Sequence, residues 1–340
     1  IMTKRFLGNI ITSNPTAPAG PYGSDAASGV WSLAEALDYT KGGMWPTAGN
    51  NMTALFAGGS SGGDSNVIQY INFATAGTAI DFGDLTQARQ QPTGASSASR
   101  GVFASGYAGA NVDTIDFVTY GSLGNAIDFG NLINGNRNTA GGGNSTRGVF
   151  GGGRVDNTMI QYITFATAGN AIDFGNLTVG RFSASGCSDP TRTVFAGGFT
   201  GSTTTNVIDY ITTATTGDAV SFGDLTLTRE KTAGCSSSTR GVFAGGIGDS
   251  GTGYATYNNI DYVTIASTGN ATDFGDLGTA RYSAAGASSP TTGIFAGGYS
   301  SLSSIESITI ASTGNAAAYG NLLAGNSSPA GCSNVHGGLS

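Results

Sequence analysis

Residues 271–277 read Ala-Thr-Asp-Phe-Gly-Asp-Leu, and the triplet Asp273-Phe274-Gly275 inside them recurs at Asp81-Phe82-Gly83, Asp128-Phe129-Gly130 and Asp173-Phe174-Gly175. Weakened copies stand at Ser221-Phe222-Gly223 and Ala318-Tyr319-Gly320. Phosphoryl-transfer enzymes use an Asp-Phe-Gly to hold magnesium, but a catalytic metal site is needed once in a chain. A triplet that returns this often describes architecture instead. The rest of the phosphoryl-transfer signature is also missing, with lysine confined to Lys4, Lys41 and Lys231.

Outward from the triplet, the second glycine of a small-residue doublet falls at Gly59, Gly106, Gly153, Gly198, Gly246 and Gly298, at intervals of 47, 47, 45, 48 and 52 residues. That is the period of a propeller blade. Within residues 233–277, the segments AGCSS, GVFAGG, NIDYVTIAS and NATDFGDL are separated by STR, a variable loop and TG. Each reads as a short strand bounded by turn residues. The third is apolar on both faces, as a sheet sandwiched between neighbours requires. No helix-period pattern lies between the units, which excludes a parallel β/α arrangement. The 57 glycines therefore mark turns and tight crossings of an ordered all-β repeat, not low complexity.

The unit resembles the kelch repeat of β-propellers. The resemblance rests on FAGG at 56–59, 195–198, 243–246 and 295–298 and on a third-strand aromatic at Tyr70, Phe117, Tyr162, Tyr210 and Tyr262. An arginine after the fourth-strand leucine, at Arg89, Arg137, Arg181, Arg229 and Arg281, completes it. It covers about residues 45–338 and differs in having Phe or Tyr where typical kelch units have Trp. The resemblance implies a β-propeller of four-stranded blades.

Six complete units run from about Gly49 to Leu322, and SPAGCSNVHGGLS then repeats a first strand and a shortened second one. The expectation is a ring of seven blades closed by both chain ends, with GNIITS at 8–13 as a third strand and Gly29 to Leu33 as a fourth, because closure removes exposed sheet edges. Six blades plus an independent N-terminal arm is the alternative. The domain division is an N-terminal segment at 1–48 and the propeller at 49–340. The Ile ahead of Met2 suggests that residue 1 is not the translational start.

The segment ASGVWSLAEALDYTKGGMWP, at 27–46, resembles a module near the start of virion structural proteins of marine tailed phages, in which an SGxW motif leads into a short helix and a WP. Ser32 with Glu35 fits a helix-capping box and Gly42-Gly43 a helix stop. The resemblance implies an attachment role, for which Trp31 and Trp45 are the candidate residues.

Charged residues make up 10% of the chain, its net charge is −7, and its basic residues are scattered singly. No basic stripe tracks a nucleic acid backbone. No apolar run reaches the length of a membrane span, so membrane insertion is not expected. Gly246-Ile247-Gly248-Asp249-Ser250-Gly251 matches GxGxxG but leads into TGYATYNN, not a helix that would hold a pyrophosphate. Cys187, Cys235 and Cys332 share one repeat position and are read as small buried residues with free thiols. One histidine, His336, leaves neither a metal cluster nor a nucleophile triad to build, so neither cofactor nor metal is expected. The repeat-borne arginines are read as structural.

What varies between units is the loop after the doublet: SSGGDS, YAGANVD, RVDN, FTGSTTT, IGDSGTGYATYN and YSSLSS. Loops on a rigid scaffold are where recognition sits. The fifth is the longest, and the candidate binding residues are Asp249, Tyr254 and Tyr257 in it, flanked by Phe199 and Tyr299. Aromatics there suit a surface glycan, while the acidic balance of the chain weighs against an anionic one. The sequence points to a non-enzymatic structural protein of a tailed-phage virion, tail-fibre-like or capsid-decorating, within a homo-oligomeric assembly. Its partners would be other virion proteins and a host surface glycan or protein. A secreted bacterial adhesin or surface-layer component is one alternative; a carbohydrate-active propeller enzyme is a disfavoured second.

Overall fold

The computed structural model describes residues 5–7, 10–12 and 52–339. Chain contacts divide the protein into Ile1–Met52 and Thr53–Ser340. In the first unit Arg5–Leu7 pairs antiparallel with Ile10–Thr12 in a two-stranded sheet. The expected helix, Gly29 to Leu33, Trp31 and Trp45 lie outside the described residues.

The second unit is a six-bladed β-propeller of four-stranded antiparallel sheets. From the innermost strand outward, the second blade is Thr93–Ser96, Arg100–Ala104, Val112–Thr119 and Ile127–Asn136. The fifth is Ala233–Ser236, Arg240–Ala244, Asn259–Thr264 and Thr272–Asp276. The first blade closes the ring: Thr53–Ala57, Val67–Asn72 and Ile80–Asp84 receive their innermost strand from Ala330–Ser333, with Cys332 opposite Leu55.

Seven blades is therefore corrected to six. The inner strand that seemed surplus at the C-terminus is the one the first blade lacks, and the HGG after it forms a 3-10 turn, Gly337–Leu339, not a second strand. Nor does GNIITS serve as a third blade strand, since Ile10–Thr12 pairs with Arg5–Leu7.

The core lies between blades. Phe56, Phe103, Phe150, Phe195, Phe243 and Phe295 of the second strands are fully buried. One cluster joins Leu55, Phe82 and Cys332 of the first blade to Phe103, Val118 and Tyr120 of the second. The Asp-Phe-Gly triplet is part of the same interlock. Its Phe is buried, as at Phe82 and Phe274, and meets the third-strand ring edge-on, as Tyr262 meets Phe274 at 5.9 Å and 80°. Its Asp points to solvent at Asp81, Asp128, Asp173 and Asp273.

Its Gly sits at a register shift with φ between 144° and 156° at Gly83, Gly130, Gly175, Gly223 and Gly275. There the next blade's loop presses in. A Cβ at these glycines would lie 2.3–2.5 Å from the carbonyl oxygens of Gly124, Gly169, Gly217, Gly269 and Gly314. The triplet is a blade-to-blade clasp, and only glycine allows the approach.

A buried polar contact joins successive blades, and its residues vary together. Arg89 pairs with Asp116 at 2.9 Å, Arg181 with Asp209 at 2.8 Å, Arg229 with Asp261 at 2.9 Å, and Arg281 with Glu306. Where the acid is Asp, the residue after the fourth-strand leucine is Thr86, Thr178 or Thr226, whose hydroxyl donates to that Asp. At the two remaining interfaces Asn136 and Asn326 replace the arginine. Gln161 and Gln69 replace the acid and accept from the backbone N–H of Ile133 and Leu323, which stand where threonine stood. A buried arginine facing a glutamine, or an aspartate facing an asparagine, would leave a charge without a counter-charge, so the members change as a set. Arg137, read as a member of this arginine column, is displaced one position by Asn136 and is half-buried over the Tyr107 ring.

Candidate binding face

The loops after the doublets and the connectors that enter the innermost strands emerge at the same end of the propeller. They are tied in pairs by backbone bridges: Ser60 with Ser327, Gln90 with Tyr107, Arg137 with Arg154, Phe182 with Phe199, Glu230 with Ile247, and Tyr282 with Tyr299. The backbone repeats from blade to blade, yet the side chains are Ser/Ser, Gln/Tyr, Arg/Arg, Phe/Phe, Glu/Ile and Tyr/Tyr. Positions whose backbone is fixed and whose chemistry is free to change surround the mouth of the central channel.

Immediately inside this circle, Gln91, Asn138, Ser183, Lys231, Ser283 and Ser328 all have φ between 55° and 58°. For residues with a Cβ this left-handed conformation costs about 1–2 kcal/mol each. It turns the chain sharply into the innermost strand and points five of the six carbonyls, all but that of Gln91, at the neighbouring blade. Ser183 donates to Asn138 O, Lys231 to Ser183 O, Ser283 to Lys231 O and Ser328 to Ser283 O at 2.8–3.0 Å, and Gln91 donates to Ser328 O at 3.2 Å. The mouth is thus a rigid collar.

On one side of the collar a cavity of about 420 Å³ is lined by Arg137, Arg154, Phe182, Phe199, Glu230, Lys231 and Tyr254, with Gln91 and Asn138 at its floor. Its cations lie over rings: the Arg137 guanidinium 4.3 Å from the centre of Tyr107, that of Arg154 4.6 Å from Phe182, and Lys231 5.5 Å from Tyr282. Phe182 and Phe199 stand 5.4 Å apart, tilted at 55°, and Tyr282 and Tyr299 stack at 4.6 Å and 15°. Among the described residues none of the three cations has a carboxylate within ion-pair distance, and Arg137 Nε is buried without an acceptor. Burial raises the pKa of Glu230, opposed only in part by Lys231, the Ser183 hydroxyl and Arg154. Glu230 is the only carboxylate lining the cavity, whereas glycoside hydrolysis uses a pair.

The sequence candidates divide. Phe199 and Tyr254 line the cavity, and Tyr299 lies on the same face, 58% exposed over Tyr282. Residues 247–256 form a β-hairpin in which exposed Asp249 faces Tyr254 across the strands and accepts from Gly251 N at 2.8 Å. Tyr257 is half-buried at the hairpin base and anchors it, donating its backbone N–H to Gly246 O. Sequence reasoning missed Arg137, Arg154, Phe182, Glu230, Lys231 and Tyr282. Their signal is column-wise variation, in the connectors for Arg137, Phe182, Glu230, Lys231 and Tyr282 and in the post-doublet loop for Arg154.

The other end of the channel is closed. Ser96, Ser188, Ser236, Ser288 and Ser333 occupy one repeat position, and Ser96 donates to Ser333 O, Ser288 to Ser236 O and Ser236 to Ser188 O, each at 2.7 Å. The sixth member is Gly143, and the C-terminal turn crosses there: a Cβ on Gly338 would lie 2.1 Å from Gly143 O, and one on Gly337 2.2 Å from Ser237 O. His336 pins it. Gly338 N–H donates to Nδ1 at 3.1 Å, so Nε2 carries the proton and donates to Ser96 O at 2.9 Å, and burial lowers the imidazole's pKa. The cysteines of this hub are free and buried, with Cys235 and Cys332 pushed up to about 12 by burial.

Among the described residues no group of three His, Cys, Asp or Glu is placed to hold a metal ion. Comparison with protein-family models finds no match for the chain, and comparison with curated proteins finds none either.

Proposed function

We propose that the protein is a non-enzymatic recognition subunit of a tailed-phage particle, built on a kelch-type propeller, that binds a host-surface saccharide at the open mouth of its channel. The observation that carries the reading is that the bridged pairs at the mouth keep one backbone arrangement while presenting six different combinations of side chains. A rigid collar supports them, and Phe199, Tyr254 and Tyr299 offer ring surface suited to sugar faces. The lone carboxylate of the cavity and the free, unreactive thiols favour binding over chemistry. The SGxW segment supplies the virion context, with Trp31 and Trp45 as the attachment residues.

Replacing residues 248–258 with Arg-Val-Asp-Asn-Thr, as at 154–158, tests the reading. Cooperative unfolding should be retained while binding to host cells and to a saccharide array weakens. Undiminished binding by the folded variant moves the site elsewhere. Trp31→Ala and Trp45→Ala should impair incorporation into particles more than folding, each costing about 2 kcal/mol or more at the contact.

A further inference from the structure

We infer that the saccharide accepted by this cavity carries carboxylate groups, a uronic or sialic-type acid, and that Arg137, Arg154 and Lys231 receive them. This rests on the saccharide reading above and names the ligand's charge.

Of the arginines in the propeller, Arg89, Arg181, Arg229 and Arg281 are consumed by buried ion pairs. Arg100, Arg147, Arg192 and Arg240 lie over the third-strand rings and donate to carbonyls of the next blade, Arg192 to Ile265 O at 2.9 Å and Arg240 to Ile310 O at 2.9 Å. That leaves Arg137 and Arg154, and both line one cavity together with Lys231, the one lysine of the propeller. The cationic side chains of the propeller with neither a structural acid nor a carbonyl acceptor therefore converge on a single site, where one acid, Glu230, faces them.

The rings beneath them hold the cationic groups before a ligand arrives, which reduces the ordering cost of binding. A planar guanidinium matches a carboxylate in two parallel hydrogen bonds, and Arg154 is exposed to receive one. Net charge argues the other way, and Asp156 and exposed Asp249 stand in the open-end loops, although neither lines the cavity. The exposed acids Asp81, Asp128, Asp173 and Asp273 lie on the outermost strands, three strand spacings or about 14 Å from the innermost. At physiological salt, screening acts over about 8 Å.

The full-length chain should be titrated with sialyllactose against lactose, and with oligogalacturonate against galacto-oligosaccharide, with a sulfated chondroitin fragment as a third arm. At least one carboxylated sugar is expected to bind tenfold or more tightly than its neutral parent. Arg154→Gln, at an exposed position, should abolish that preference without changing the melting temperature, and Lys231→Gln should reduce it. Equal binding of acidic and neutral sugars, or a preference that survives Arg154→Gln, overturns the inference while leaving the saccharide reading intact. A preference for the sulfated fragment alone overturns the carboxylate assignment. No binding to any of these or to a broad saccharide array removes the saccharide reading and the inference together.

Discussion

The two ends of the channel are built from the same strands and obey opposite rules. At the closed end five of six blades present serine, the hydroxyls bond in sequence from blade to blade, and the exception, Gly143, is where the terminal turn needs room. At the open end six bridged pairs share a backbone and present six different combinations of side chains. Where neighbouring blades touch, residues are uniform or change only as matched sets; where they face water, each pair varies by itself. A repeat protein compared with itself thus separates what the fold demands from what it leaves available.

The contrast breaks most completely if the closed end is removed. Deleting residues 330–340 takes the innermost strand from the first blade, together with buried Ala330 and Cys332, and exposes the edge of Thr53–Ala57. Loss of cooperative thermal unfolding is expected; an unchanged melting curve would refute this closure.

The rule of joint variation predicts the next effect. Asp209→Ala strands the Arg181 guanidinium and should cost about 3–5 kcal/mol in denaturant unfolding. Thr178→Ile, Asp209→Gln and Arg181→Asn together copy the interface of Ile133, Gln161 and Asn136 and should recover most of that loss. A triple variant no better than the single one would mean that the two sets are not interchangeable.

His336→Ala should cost about 1 kcal/mol through its lost hydrogen bonds. Its burial lowers the folded pKa from 6.5, so its contribution is complete above that value and declines as acidification protonates the unfolded chain first. Wild type should therefore lose more stability between pH 7 and 5 than the variant does, read as the difference between their melting temperatures.

The smallest effect belongs to the open end. Arg154→Ser, which copies Ser60 of the first blade, should change stability by no more than about 0.5 kcal/mol. A larger loss would show that the open end also carries the fold.

Much of this architecture was legible before the coordinates. Blade period, strand order, buried cysteines and the structural arginines follow from glycine spacing and the alternation around it. The blade count failed because a circular object has no first strand: the C-terminal strand was assigned to a seventh blade, with the opening segment as its third and fourth strands, whereas Ala330–Ser333 completes the first blade. Arg137 was misplaced because the outer strand of the second blade runs on to Asn136 and shifts the arginine by one. The cavity was half legible. Phe199 and Tyr254 announced themselves in variable loops, but Arg154, Phe182 and Lys231 meet them through the closed circle, which sequence distance conceals.

The ladder between Thr53–Ala57 and its neighbours also has a mechanical meaning. Thr53 begins the second strand of the first blade at the plugged end, with Asn334 N–H donating to its carbonyl, while Ala57 leads to the loop at the open mouth. A pull applied through Thr53 against a ligand held at the mouth runs along the strand axis, so the hydrogen bonds to Ala330–Ser333 on one side and Val67–Asn72 on the other share the load in shear. They must fail together instead of peeling apart in turn, and resistance to such a pull is set by the unfolding rate. The seam that closes the ring is thereby oriented to bear tension.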